Sequence, residues 1–117
     1  MFKYSGRYQL VDDFDITKFD VGDKYVFKQA TNGWCDRSIA EAKSLQTRLW
    51  SFTPNLIVPT IDLYKTCWQY MEKNYLANKY IDIEHTMYKF IDKELLVEVE
   101  TIGVQGNIAP NGMAVVD

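Results

Sequence analysis

The sequence predicts an α+β fold, with an N-terminal antiparallel β unit, two central amphipathic helices and a C-terminal β-hairpin that continues into an extended tail. Three patterns lead to this reading. Apolar residues alternate with polar ones over residues 2–10 and again over 86–102, and between those stretches they recur every three or four residues. At 117 residues and 47% hydrophobic composition the chain suffices for one core, placed at residues 1–105, with 106–117 as a tail ordered by packing or by a partner.

In the first stretch Phe2, Tyr4, Tyr8 and Leu10 fall on one side and Lys3, Ser5, Arg7 and Gln9 on the other, as in a half-buried strand. A second extended segment is expected at Phe14–Phe19, and the turn formers Asp20-Val21-Gly22-Asp23 introduce a third at Tyr25-Val26-Phe27. Thr31-Asn32-Gly33 then breaks the pattern. Ser38 followed by Glu41 matches a capping box, and the stripe Ile39, Ala42, Leu45, Leu49 and Phe52 predicts a first helix that ends at Thr53-Pro54-Asn55.

A second helix is expected from a cap at Thr60 to about Asn78. Its polar residues Asp62, Lys65, Thr66, Gln69, Glu72 and Lys73 share a narrow arc, whereas Leu63, Tyr64, Cys67, Trp68, Tyr70, Met71 and Tyr75 spread over about half the circumference. So broad a face must contact two things. They are either two parts of its own core, or the core and a partner. Residues 86–102 fit a hairpin turning near Asp92-Lys93, although Ile83, Met87, Phe90 and Ile91 also have helical spacing, so 82–92 has a competing helical reading. The last dozen residues are rich in turn formers and fray unless they dock on the domain or on a partner.

Charge and composition narrow the function classes. A net charge of −3 with dispersed lysines argues against a nucleic-acid partner, and 16 acidic residues interleaved with 13 basic ones are too few for a mimic of one. No apolar run approaches the roughly 20 residues of a membrane span, and the polar N-terminal stretch lacks the apolar segment of a secretory signal. Two widely separated cysteines, Cys35 and Cys67, read as reduced thiols and place the chain in the cytoplasm or within an intracellular assembly.

Catalytic patterns are missing from the sequence. His85 is the single histidine, without a nucleophile-elbow motif to serve, and Cys35, Cys67 and His85 lack the paired spacing of a zinc site. Gly103-Val104-Gln105-Gly106 has the glycines of a phosphate loop but neither its lysine nor its hydroxyl. No catalytic, cofactor or metal residue is therefore assigned. Tyr 8, Phe 6 and Trp 3 make the chain rich in aromatic residues, and tyrosine and tryptophan suit surfaces that become dry on binding. The expectation is a non-catalytic protein-interaction module, a small accessory or structural subunit that binds another protein or its own copies through Trp34, Tyr64, Trp68, Tyr70, Tyr75, Ile108 and Met113. An inhibitor or immunity-type protein that blocks its partner is the alternative, and a small carboxylate-dependent enzyme comes third.

Overall fold

The computed structural model describes residues 1–36, 43–108 and 112–117, excluding the side chain of Ile108. Its strands are β1 (Phe2–Tyr4), β2 (Gln9–Leu10), β3 (Tyr25–Lys28), β4 (Thr31–Asn32), β5 (Lys43–Ser44) and β6 (Leu49–Phe52), followed after the helices by β7 (Leu96–Val99), β8 (Val104–Ile108) and β9 (Met113–Val116). The helices are α1 (Ile57–Leu76) and α2 (Ile83–Phe90). This is the α+β class the patterning predicts.

A four-stranded sheet in the order β1-β6-β3-β7 forms the middle layer. Successive residues of β6 point to opposite faces, and they join different cores. Trp50 packs with Tyr25, Phe27, Leu63, Cys67 and Met87 beneath the helices, while its neighbour Leu49 packs with Tyr8, Ile102 and Val104 on the other side. That second side is covered by a three-stranded sheet, β2-β8-β9. The Trp50 ring lies flat on Phe27, 4.8 Å between centroids, at the centre of the helical side.

Several local expectations change. The first thirty residues do not pair among themselves: β1 pairs with β6, β2 with β8, and β3 lies antiparallel to β6 and parallel to β7. The run 14–19 holds a 3-10 turn at Ile16–Phe19, because the Asp15 carboxylate accepts from the Thr17 amide and hydroxyl at 3.0 and 2.6 Å.

The predicted first helix is overturned in its described part, and its capping box at Ser38 and Glu41 lies outside the described residues. Leu49-Trp50-Ser51-Phe52 is a strand buried on both faces, so it lacks the alternation that marks a half-exposed one. The hairpin at 86–102 is likewise overturned in favour of the helical reading. Asp82 accepts from the His85 amide at 2.9 Å and starts α2, which turns Met87 into the core. Leu96–Val99 then runs parallel to β3, about seventy residues earlier in the chain.

The C-terminal hairpin is β8–β9, built by the residues read as a tail. Gly112 turns it with a φ of 70°, and Asp117 fastens it. The main-chain oxygen of Asp117 accepts from the amides of Ile102, Gly103 and Val104 at 3.2, 2.8 and 3.3 Å, and its amide donates to the Val104 carbonyl at 2.7 Å. Its carboxylate, 7% exposed, accepts from Lys28 at 3.2 Å and from Arg48, whose guanidinium also lies over the Tyr8 ring.

Candidate functional site

Helix α1 carries two seams at spacings of three and four residues, a buried one that mixes apolar and small polar residues and an outer one of apolar and aromatic residues. The inner seam is Thr60, Leu63, Cys67 and Asn74, all buried. Thr60 is not the cap expected of it: its hydroxyl donates to the Leu56 carbonyl at 2.6 Å and meets the Tyr25 hydroxyl at 2.9 Å. Burial pushes the Cys67 thiol up to about 11, so it is not a nucleophile near neutral pH. No disulfide joins it to Cys35, which is also buried.

The outer seam is Ile57, Ile61, Tyr64, Trp68, Met71 and Tyr75, displaced from the inner one by about 100°. Trp68 is 68% exposed and Tyr75 79%, and Ile57, Ile61 and Tyr64 are also exposed. Tyr64 leans inward on Trp50, 6.3 Å between ring centroids, and burial of that side raises its phenol pKa. Lys65 and Glu72 border the seam on the side away from the core, and the rest of the polar arc, Asp62, Thr66, Gln69 and Lys73, continues around the helix to the far side. The broad face of the sequence is thus a core face and an uncovered face side by side. A 20-residue helix is about 30 Å long, so the uncovered strip runs the length of a small domain.

The other residues expected to bind a partner are elsewhere. Tyr70 is half-buried at the joint between the helices, edge-on to Phe90 at 5.1 Å with Lys89 above its ring. Trp34 is 71% exposed and leans on Tyr80, 5.0 Å between centroids, beside a cleft. Met113 is exposed on β9 in the opposite layer, and Ile108 pairs with it through the backbone. The seven therefore form no single surface. Tyr64, Trp68 and Tyr75 share one, and the sequence reading missed Ile57 and Ile61, whose spacing of four and then three residues to Tyr64 was the available signal.

A match to a known protein would bear on which surface matters. None of the family models, curated proteins or solved structures compared matches this chain.

The cleft beside Trp34 has a volume of about 430 Å³ and lies between Lys3 and Arg7, the β4–β5 pair, and the start of α2. His85, 3% exposed, holds Asp82 Oδ1 with Nδ1 at 2.7 Å, while Nε2 is buried without a hydrogen-bond partner among the described residues. Glu84 Oε1 accepts from the Thr47 amide and hydroxyl, each at 3.1 Å. Lys3 donates to the Thr47 carbonyl at 2.7 Å; desolvation lowers its pKa, opposed by the Glu84 charge. Sequence spacing alone did not single out His85, because its partner is a helix cap and its surroundings come from distant strands. Among the described residues no group of His, Cys, Asp and Glu is placed to hold a metal ion, and no helix is long and apolar enough to cross a membrane.

Proposed function

We propose that the protein is an interaction module, a small accessory or structural subunit that docks another protein, or a second copy of itself, on the outer seam of α1. The observation that carries this reading is the exposure of Trp68 and Tyr75 on a seam with the same four-three spacing as the filled one beside it. That repeat is how helices present knobs to a partner helix, and tryptophan and tyrosine are the side chains that dominate such contacts when desolvated. Polar neighbours on one flank give the strip the polar rim of an interface. The test is native affinity capture of the intact chain and of a Trp68→Ser/Tyr75→Ser variant, followed by mass spectrometry of the bound chains. The reading requires a partner, or a second copy, that the variant loses while its thermal unfolding stays unchanged. Equal capture by both forms refutes it.

A further inference from the structure

We propose that the polar cleft between Lys3, the β4–β5 pair and the start of α2 binds a neutral, hydroxyl-rich ligand of the saccharide class. The chemistry of its walls selects among ligands. An apolar molecule has little to gain, and a polyanion meets two carboxylates, Asp82 and Glu84, as well as the cations Lys3, Arg7 and Arg48, the last of them already paired with Asp117. A sugar hydroxyl both donates and accepts, so it is served by walls that mix the two roles.

The unused hydrogen-bonding capacity fits that demand. Among the described residues the Arg7 guanidinium stacks over Tyr8 at 5.8 Å and makes no hydrogen bond, and neither does the Asn32 side chain. Glu84 commits one oxygen to Thr47 and keeps the other. The decisive group is His85, which is buried and has no partner at Nε2 among the described residues. Nδ1 is committed to the Asp82 carboxylate, so Nε2 is the ring nitrogen left for a ligand, and a hydroxyl, which both donates and accepts, can satisfy it. Gly33 adjoins this edge of the ring: a Cβ there would stand 2.9 Å from both Nε2 and Cε1, so the glycine leaves the imidazole edge against the cleft wall.

Trp34 completes the site. Its ring is exposed at the rim and backed by Tyr80, which holds a flat apolar platform beside polar walls, as the C–H face of a sugar ring requires. A volume of about 430 Å³ lies within the range of roughly 300–1,000 Å³ usual for small-ligand sites.

The experiment is a saturation-transfer and amide-shift titration of the full chain with neutral hexoses, N-acetylhexosamines and their short oligomers, with inorganic phosphate and a nucleoside monophosphate as separate arms. The proposal expects at least one saccharide to bind with a dissociation constant of about 1 mM or tighter and to shift the Trp34 indole signal. Trp34→Ala and Asn32→Ala, both at exposed positions, are each expected to weaken it about tenfold without changing the circular dichroism spectrum. No saccharide binding, binding indifferent to both variants, or preference for the phosphate arms overturns it.

Discussion

Replacing Asp117 with alanine tests how the last strand is tied to the rest of the molecule. The carboxylate is buried, and it is shared by Arg48 and Lys28, whose side chains are themselves mostly covered. Alanine leaves two cations with no counter-charge in a poorly hydrated site. Removing one partner of a buried ion pair costs about 3–5 kcal/mol, and the lower end applies here because Arg48 keeps its bond to Gln46 and its place over Tyr8. For a domain of this size that is a fall in Tm of about 12 °C, read by calorimetry or by circular dichroism at fixed pH. Asp117→Asn, which keeps the shape and loses the charge, should fall between the two. Deleting residues 107–117 should prevent folding, since it strips β9 and leaves the Ile102, Gly103 and Val104 amides without their acceptor. A shift of less than about 3 °C for Asp117→Ala, under 1 kcal/mol, would refute the latch.

Trp50→Ala, which empties the stacked centre of the core, should cost about 3–5 kcal/mol in denaturant unfolding, whereas Trp68→Ala should cost less than about 1 kcal/mol. Cys67 should react slowly with iodoacetamide at neutral pH and at pH 8. Because its folded pKa of about 11 lies above the ordinary 9.0, the unfolded chain ionises first, so this thiol's contribution to stability is complete below pH 9 and declines between pH 9 and about 11, a trend that a Cys67→Ala variant should lack. Gly103 has a φ of 81° and its α-carbon faces the Phe14 backbone, so Gly103→Ala meets both strain and collision and should lower stability by about 2 kcal/mol or more, measured by urea unfolding.

What could be read from the sequence follows from where each signal resides. Helix α1 was legible because twenty residues repeat one pattern often enough to separate a polar arc from a broad apolar one. Within that arc Tyr64, Trp68 and Tyr75 were found, but the division into a covered and an uncovered seam depends on the neighbours that fill one side. Residues 43–52 misled because β6, enclosed by two layers, needs apolar residues on both faces, and Leu49 and Phe52, with Leu45 from the segment between β5 and β6, then fall at helical spacing by coincidence. For 82–92 the competing periods were equal, and the deciding feature was local: Asp82 three residues before His85 is a helix cap. The Asp117 contacts reach 69 and 89 residues back along the chain, so no local pattern could announce them. The cleft was illegible for the same reason, since Lys3, Asn32 and His85 meet only after the sheets have formed.

The central claim is that the outer seam of α1 is covered by another chain. It is tested most directly by placing a photo-crosslinking amino acid singly at positions 61, 64, 68 and 75 of the seam and at 62, 66, 69 and 73 of the polar arc, then irradiating the protein in its native extract. The account predicts crosslinks to one partner, or to a second copy, from the four seam positions and none from the polar arc. Crosslinks distributed evenly over both sets, or absent from the seam, would contradict it.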